Sequence, residues 1–340
     1  MAFTNVIPLD KAQAKIEAVR GTAEATMTRW LYAIHDGMTW TYTQEHDTTK
    51  EQTRLFHATS GQELGIRNSR INFEGNATFE EAVWWLNLAL DGANRTGVST
   101  GSTPAGYTYA ISPDGAADAL DSATIKAGDG STAYRFSRCM VNRLTMRFNP
   151  AQGGDVLWRI TAEIFAIFVG TTTFDAPAET TRTKAKAEGT AVFIDAIGGT
   201  IGTTAFNRRI RSGSIVIDNQ LQENVFSENV ADVDPDVSRG EQLMTAELVI
   251  DHTSDDKFAD MRANTPFKLR IQKVGAQIGI TPTTNYRLRL DFGRAKFMAP
   301  TFGRAGVNRI ATFGVMGEID STVLVPMSAE LVNALATIAA

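Results

Sequence analysis

One stretch of the chain decides the fold class: Arg143-Leu-Thr-Met-Arg-Phe-Asn-Pro-Ala-Gln-Gly-Gly-Asp-Val-Leu-Trp-Arg-Ile-Thr-Ala-Glu-Ile164. Apolar side chains occupy alternate positions in two runs, Leu144 to Phe148 and Val156 to Ile164. Alternation with period two is typical of a strand with one face on a core. The Pro and Gly residues between the runs favour a turn. The stretch therefore predicts an antiparallel hairpin with a buried face.

Outward from this hairpin, a plan of strand, short helix and alternating strands occurs twice. In the first half it runs from Ile66 through a helix at Phe79 to Leu90 and on to the hairpin. In the second half its elements are a strand from Met244, a helix near Asp255 to Ala263, the strands Phe267 to Ile271 and Tyr286 to Phe292, and a strand with Ala311, Phe313, Val315 and Ile319 on its inner face. Two similar units in one chain indicate a subunit that builds by repetition.

The first helix carries the clearest local signals. Thr78 and Glu81 form a capping-box pattern, and apolar residues follow at helical spacing from Phe79 to Leu90. We expect this helix to pack one face on a sheet. Trp84 and Trp85 could form a binding platform, but we favour burial of one ring with the other resting on a partner.

The chain is therefore predicted to be mainly β, with two tandem β-sandwich or barrel domains that each carry a short flanking α-helix. The first domain spans residues 1–175 and the second spans residues 190–327. The Thr-, Ala- and Lys-rich stretch Gly170 to Gly189 has no clear period, so residues 176–189 are assigned to a linker. Residues 328–340 are predicted to form a C-terminal helix or tail, helical from Ser328 to about Ile338.

Composition limits the classes of function. Of 340 residues, 43% are apolar and 21% charged, and no apolar run approaches the ~20 residues of a membrane helix. The net charge is −5 with mixed signs along the chain, whereas proteins that grip DNA normally carry a basic surplus or stripe. With no visible secretory signal and a single cysteine, synthesis in a reducing cytoplasm is expected.

Three long polar stretches are predicted to be loops that contact neighbouring molecules: Ala33 to Gly65, Gly92 to Gly106 and Glu223 to Gly240. The last of them contains Asp232, Asp234 and Asp236. Such a run can hold calcium, but an EF-hand needs Gly where Val237 stands and Glu where Leu243 stands. A solvated acidic loop is the preferred interpretation.

No other pattern predicts a catalytic, cofactor-binding or metal site. Cys139 has no neighbouring histidine and is interpreted as a buried, inert thiol. Gly128-Asp-Gly130 lacks a following Lys-Ser or Lys-Thr and is interpreted as a hairpin turn. The histidines are scattered without ligand spacing: His35, His46, His57 and His252. Four strand-face arginines could contact phosphates, but ion pairs with nearby carboxylates are favoured: Arg143, Arg147, Arg287 and Arg289.

Several segments resemble the two-domain tail tube proteins (major tail proteins) of long-tailed, non-contractile bacteriophages, the siphophages. In the first half they are Lys15-Ile-Glu-Ala-Val-Arg-Gly-Thr-Ala-Glu-Ala-Thr26, Ile71-Asn-Phe-Glu-Gly-Asn-Ala-Thr-Phe-Glu-Glu-Ala-Val-Trp-Trp-Leu86 and Tyr134-Arg-Phe-Ser-Arg-Cys-Met-Val-Asn-Arg-Leu-Thr-Met146. In the second half they are Arg211-Ser-Gly-Ser-Ile-Val-Ile-Asp-Asn219 and Arg239-Gly-Glu-Gln-Leu-Met-Thr-Ala-Glu-Leu-Val-Ile-Asp251.

The resemblance implies a structural virion protein and not an enzyme. It implies two tail-tube β-sandwich domains per chain, homotrimeric rings of pseudo-sixfold symmetry, and helical stacking of the rings into a hollow tube through which double-stranded DNA passes without specific binding. The implied partners are copies of the chain and the tape measure, tail tip and terminator proteins. The implied location is the virion tail, assembled in the host bacterial cytoplasm, without cofactor or membrane.

Three other functions stay open at this point. A carbohydrate-binding or receptor-binding adhesion module would need exposed aromatic side chains, for which Trp40 and Tyr42 are the modest candidates. A hydrolase could bring together two acids that are distant in sequence. A tail terminator would share the fold of a tube subunit.

Overall fold

The computed structural model describes residues 2–47, 50–51, 58–59, 63–90, 95–113, 120–130, 132–150, 156–206, 210–224, 236–251 and 257–338. These residues are mainly β, as predicted, and their strands pair antiparallel. The first half contains β1 (Ala2–Pro8), β2 (Lys11–Ile16), β3 (Arg29–Leu31), β4 (Ala33–Asp47), β5 (Lys50–Glu51), β6 (Ala58–Thr59), β7 (Glu63–Asn76), α1 (Phe79–Leu90), β8 (Val98–Ser99), β9 (Tyr107–Ile111), β10 (Ala123–Gly128), β11 (Ala133–Phe148) and β12 (Arg159–Thr172).

The second half contains β13 (Thr190–Ala196), β14 (Ile210–Asp218), β15 (Gln222–Asn224), β16 (Asp236–Ser238), β17 (Leu243–Asp251), α2 (Lys257–Arg262), β18 (Phe267–Gly279), β19 (Thr284–Phe297), β20 (Thr301–Ala305), β21 (Asn308–Gly317) and β22 (Ser328–Asn333). The turn predicted at Gly128-Asp-Gly130 is confirmed, because Gly128 at the end of β10 pairs with Ala133 at the start of β11.

The long strand β11 organises the sheet. One of its edges pairs with β12, which is the predicted hairpin, and the sheet continues through β7 and β4 to β1. The opposite edge of β11 is divided: residues 133–139 pair with β10, and residues 143–148 pair with β14. Since β14 belongs to the second half, this pairing forms a backbone seam between the two halves.

The second half continues from the seam. β14 pairs with β17, and β17 pairs with β21. The far edge of β21 carries both β20 and the end of β19, while β19 also pairs with β18 and β22. β22 in turn pairs with β9 of the first half. The two halves therefore share a second strand pairing besides the seam.

The predicted alternation accounts for the core. Leu144, Met146 and Phe148 are all buried, and the Phe148 ring stacks on the Trp158 ring with 4.8 Å between centroids. Each fully buried large apolar side chain contributes roughly 1.5–3 kcal/mol. The buried set extends without a break through both halves. The predicted strand began too early, because Val156 is exposed and β12 begins at Arg159.

Helix α1 has the predicted bounds. The Glu81 amide donates to the Thr78 hydroxyl at 3.1 Å, which is the expected N-cap bond. The predicted packing on one face is wrong, because all twelve residues of the helix are buried. The helix contacts β9 and β11 of the first half and β19 and β22 of the second, so apolar residues are needed around its whole circumference.

The C-terminal end of α1 is held by two polar side chains of the second half. The amide of Asn219 is fully buried and donates to the carbonyls of Ala89 at 3.0 Å and Val141 at 2.8 Å. Gln242 donates to the Asn219 side-chain oxygen at 2.6 Å and to the Ala89 carbonyl at 3.2 Å. We name Asn219 and Gln242 the clasp, because they satisfy a helix-end carbonyl that would otherwise lack a partner.

Helix α2, Lys257–Arg262, lies within the segment predicted as helical and ends one residue before the predicted end at Ala263. Its Met261 is partly buried and packs against the core. Residues 252–256, where the helix was predicted to begin, lie outside the described residues. The strand predicted around Ala311 to Ile319 is β21, which ends at Gly317, so Ile319, predicted to face inward, is exposed.

The segment predicted as a linker is not a free tether. The Phe79 amide donates to the Thr183 carbonyl at 3.0 Å, and the Thr183 amide donates to the Glu80 carboxylate at 2.8 Å. Ala185 and Ala187 are buried, and their amides donate to the carbonyls of Ala77 at 3.0 Å and Val156 at 2.8 Å. Residues 183–187 therefore lie as an extended strap along the helix N-terminus and residues 156–158, whereas residues 176–182 are largely exposed.

The predicted C-terminal helix is wrong. Residues Ser328–Asn333 form strand β22, which inserts between β19 and β9. The Asn333 side chain is buried and donates to the Phe79 carbonyl at 3.2 Å. Apolar residues in this segment fit both helical spacing and alternation, and the two adjacent strand edges favour the strand.

The stretch predicted as a long loop from Ala33 to Gly65 is largely wrong as well. Residues 33–47 form β4, which pairs along its length with β7. The alternation of Thr with Trp40 and Tyr42 is a strand pattern, which the polar residues around it obscured. Of the remainder, residues 48–49, 52–57 and 60–62 lie outside the described residues.

Candidate assembly interface

The candidate site is a set of strand edges, and most edges are already paired within the chain. β13 pairs with β18 on one side. On its other side, the Ile194 amide donates to the Thr204 carbonyl at 3.1 Å, and the Phe206 amide donates to the Val192 carbonyl at 2.8 Å. Residues 204–206 thus cover this edge from within, which prevents its pairing with another chain.

The Asp195 carboxylate fixes the loop that carries this cover. It accepts hydrogen bonds from the amides of Gly202 at 2.6 Å and Thr204 at 2.7 Å and from the Thr203 hydroxyl at 2.7 Å. Burial by itself raises the pKa of Asp195, but these hydrogen bonds outweigh it and lower the pKa to about 2. The loop is therefore built around an ionised carboxylate.

The first open edge belongs to β1. Its residues pair with β4, and its other edge is not paired with any strand among the described residues. Val6 on this strand is 62% exposed, and Pro8 ends it. An exposed strand with one free edge presents a row of backbone donors and acceptors that a second chain can use.

The second open edge belongs to the β20–β21 hairpin, residues Thr301–Thr312. β20 pairs with β21 and, within the described part of the chain, with no other strand. Gly306 (φ 62°) and Val307 form the two-residue turn, with the positive φ on the first residue as in a type II′ hairpin. Phe302 is 54% exposed and Val307 is 98% exposed. The hairpin therefore presents apolar side chains to solvent.

The sheet faces carry charges that are largely paired. Arg147 and Arg159 both contact Glu74, at 2.8 and 2.9 Å, and Arg287 and Arg289 both contact Glu330. Arg143 lies in register between Glu163 and Asp218. The preference for ion pairs over phosphate contacts is confirmed for Arg147, Arg287 and Arg289. Such faces offer few unpaired cations to nucleic acid.

A small buried charge cluster lies at the N-terminus of α1. Glu81 and Arg29 are both buried, and the Arg29 guanidinium lies 5.4 Å from the centroid of the Trp84 ring. Burial raises the pKa of Glu81 to about 7, although Arg29 and Arg182 oppose the shift. Burial also lowers the pKa of Arg29. The cluster at the start of α1 therefore contains two buried ionisable side chains whose charged forms are disfavoured by burial.

The residues considered for chemistry are not brought together. Cys139 is buried, and burial raises the pKa of its thiol far above the ordinary value, as predicted for an inert thiol. His35 is exposed beside Asp36 at 3.4 Å. In the described residues, no three or more His, Cys, Asp or Glu side chains cluster closely enough to hold a metal ion. His57, His252, Asp232 and Asp234 lie outside the described residues, as do the side chains of His46 and Asp236.

Three of the aromatic side chains considered for partner binding lie in the core, whereas Tyr42 is partly buried. Trp84 and Trp85 are both buried, so the prediction that one of them rests on a partner is wrong. Trp40 is also buried, against Phe136 and Phe168 at 5.0 Å between centroids. None of these three rings is available as a carbohydrate platform.

The predicted contact loops have mixed outcomes. Residues 225–235 lie outside the described residues, and the flanking strands β15 and β16 pair with each other. In the stretch from Gly92 to Gly106, the structure describes residues 95–106, of which those in β8 pair with β9. Sequence reasoning missed the β20–β21 hairpin, although Gly306 and the flanking Arg304 and Arg309 could have indicated an exposed turn.

The described part of the chain has no helix with the length and apolar character to cross a membrane. No curated protein sequence matches the chain at a significant level. A family model described as phage tail tube protein matches residues 11–320. The match covers most of the chain, and it includes the β20–β21 hairpin but not β1.

Proposed function

Because this chain belongs to the phage tail tube protein family, we propose that it is the major tail tube subunit of a long-tailed, non-contractile bacteriophage. In this proposal, copies of the chain associate into rings, and the rings stack helically into the hollow conduit that delivers the phage DNA. The chain acts as a structural virion protein and carries no enzymatic activity. Its proposed location is the virion tail, with assembly in the host bacterial cytoplasm.

The open edges of β1 and of the β20–β21 hairpin are the observation that carries the proposal. A monomer with exposed strand edges is prone to pair with other chains. The chain covers the β13 edge with residues 204–206 and yet leaves these two edges open in its described part, where the other strands that pair on one side only are two or three residues long. This selective covering is expected of a protein whose remaining edges are paired by copies of itself.

We further propose that residues 1–175 and 190–327 are two tail-tube units connected by residues 176–189. Each of these spans contains antiparallel strands and one helix in its described part. Three such chains then supply six similar units, which gives a trimeric ring of pseudo-sixfold symmetry. The seam between β11 and β14 favours a fixed orientation of the two units within each chain.

Passage of DNA requires a wall that does not hold phosphates. The net charge of −5 and the paired arginines of the sheet faces favour sliding over binding. The other proposed partners are the tape measure, tail tip and terminator proteins.

Negative-stain microscopy and light scattering of the purified chain at increasing concentration test this function. We expect rings and filaments of constant diameter, and a smallest ring with the mass of three 36.9-kDa chains. The variant Val6→Lys should assemble less than the wild type, because a lysine on the edge strand β1 blocks edge pairing. Val19→Lys, at a valine that is 66% exposed and lies between β2 and β3 outside any strand, serves as the control.

A single 36.9-kDa species at every concentration would contradict the function and favour a discrete adhesion module. Rings that never stack would favour a terminator. Filaments built from rings of a different copy number would contradict only the trimer.

A further inference from the structure

A second surface of the chain carries exposed apolar side chains, at the opposite end of β21 from the hairpin turn. Leu243, Met316, Ile319 and Leu324 line a groove of about 650 Å³, and we name it the apolar groove. Ile319 is 63% exposed and Leu324 is 76% exposed. Apolar side chains gathered in one concave surface, unlike scattered ones, indicate a binding surface.

The wall of the groove is preformed. The Asp320 carboxylate accepts hydrogen bonds from the amides of Thr322 and Val323, both at 2.8 Å, and from the Thr322 hydroxyl at 2.7 Å. These bonds, the Thr322 hydroxyl first, lower the pKa of Asp320 to about 2. Arg294 contacts Asp320 at 2.9 Å and Glu318 at 3.3 Å. The loop that carries Leu324 is therefore fixed before any partner arrives.

The groove is lined by more carboxylates than cations. Glu241, Glu318 and Asp320 line it together with Arg239 and Arg294. Arg294 contacts Glu318 and Asp320, and Lys296 also contacts Glu318 at 3.2 Å, whereas no cation among the described residues pairs with Glu241. An occupant of this groove should combine apolar side chains with positive charge.

The β20–β21 hairpin has this combination. Residues 301–312 contain Arg304 and Arg309 and no acidic residue, with exposed Phe302 and Val307 beside them. Arg304 and Arg309 are direct cross-strand partners. Like charges opposite each other destabilise a hairpin unless negative charge is brought near. The hairpin is thus complementary to the groove in both polarity and charge.

The hairpin cannot occupy the groove of its own chain. Val307 lies at one end of β21 and Met316 near the other. At roughly 3.4 Å per residue, the rise along the strand separates them by about 30 Å. A second copy of the chain must therefore supply the hairpin that fills this groove.

We propose that the β20–β21 hairpin of one copy inserts Val307 into the apolar groove of a second copy. The contact is head-to-tail, since the two surfaces differ, and repetition of such a contact generates either a ring or a helical polymer. This inference rests on the proposed function and specifies one of its interfaces.

The test uses two variants that each damage one side of the contact. Val307→Glu alters the hairpin, and Leu324→Glu alters the groove. Both positions are exposed, so near-UV circular dichroism and urea midpoints should match the wild type. Val98→Glu, at a valine that is 72% exposed and outside both surfaces, is the matched control.

Each variant alone should require an at least roughly tenfold higher concentration to assemble. A tenfold change corresponds to about 1.4 kcal/mol, which the burial of one such side chain supplies. A mixture of the two variants should associate at lower concentration than either variant alone by sedimentation, since each variant keeps one intact surface. The hairpin and groove left free on such a pair each carry an introduced carboxylate, and the two carboxylates repel each other, so this contact should not extend the pair further. The control should assemble as the wild type does.

The outcomes separate the two proposals. If the wild type assembles and both variants assemble equally well, this interface is wrong while the tube function stands. If the wild type and the mixture both remain monomeric, the tube function is contradicted together with the interface. If Arg304→Glu/Arg309→Glu abolishes salt-dependent binding of duplex DNA and leaves assembly unchanged, the hairpin serves nucleic acid and the interface is overturned.

Discussion

Replacement of Asp195 by asparagine should destabilise the protein in a manner that depends on pH. The substitution keeps the shape of the side chain but removes the charge that accepts hydrogen bonds from Gly202, Thr203 and Thr204. The asparagine side chain would also place an NH2 donor against the Gly202 and Thr204 amides, which are themselves donors. The loop that covers the β13 edge should loosen as a result.

The magnitude follows from the pKa. One pKa unit corresponds to about 1.4 kcal/mol, so a carboxyl whose pKa falls from 3.8 to about 2 favours the folded state by roughly 2.5 kcal/mol at neutral pH. Because the loop lies at the surface, solvent screens part of this energy. We expect Asp195→Asn to lower the free energy of unfolding by about 1.5–2 kcal/mol at pH 7.

The direction of the pKa shift determines the pH range in which Asp195 stabilises the folded state. A carboxyl with a depressed pKa in the folded state stabilises fully above its unfolded pKa of 3.8, and the contribution is lost as pH falls through about 2. Urea unfolding followed by far-ultraviolet circular dichroism at pH 7, 4 and 2.5 measures the difference between variant and wild type. This difference should hold from pH 7 to about 4 and shrink below it.

The matched control is Asp218→Asn, because that carboxylate accepts one hydrogen bond, from the Gln220 amide at 3.0 Å. Asp218→Asn should lower the free energy of unfolding by less than about 0.5 kcal/mol. Equal effects of the two substitutions, or a constant difference from pH 7 to pH 2.5, would refute the reasoning for Asp195.

Three further predictions concern buried groups. Glu81→Gln should raise the free energy of unfolding by about 1–3 kcal/mol at pH 8 and leave it nearly unchanged below pH 4.5. The reason is that the pKa of Glu81 is about 7 in the folded state and 4.5 in the unfolded state. A urea midpoint that does not increase at pH 8 would contradict this. Asn219→Ala should cost about 2–4 kcal/mol, since it leaves the buried carbonyls of Ala89 and Val141 without this donor; a loss below about 1 kcal/mol would show that the clasp is dispensable. The Cys139 thiol should resist a thiol-reactive dye in the native protein and react in urea, and rapid native labelling at pH 8 would contradict its burial.

Local sequence signals correctly predicted the elements whose structure depends on residues close to one another in the chain. The bounds of α1 follow from Thr78 and the apolar spacing after it, and the β11–β12 hairpin follows from alternation around a turn. Segment 328–338 was mispredicted because its apolar residues fit two periods. Only the edges of β19 and β9, which lie far away in sequence, decide between helix and strand there.

The open edges could not be predicted for the same reason. Whether β1 or β20 keeps a free edge depends on which strands reach it, and the pattern of one strand contains no such information. Burial of Trp84 and Trp85 was missed because the second half, through β19 and β22, covers the side of α1 that an isolated first half would expose. Family resemblance supplied the function that these local patterns did not.

The seam between β11 and β14 also determines how a tube wall made of such chains would carry mechanical load. Six residue pairs, Arg143↔Asp218 to Phe148↔Gly213, lie side by side along the strands. A pull along these strands would shear all of their hydrogen bonds at once and would not peel them one by one. The connecting segment at residues 176–182 would then bear little tension. Cleavage of the backbone there would leave the two halves of the chain held together by the seam.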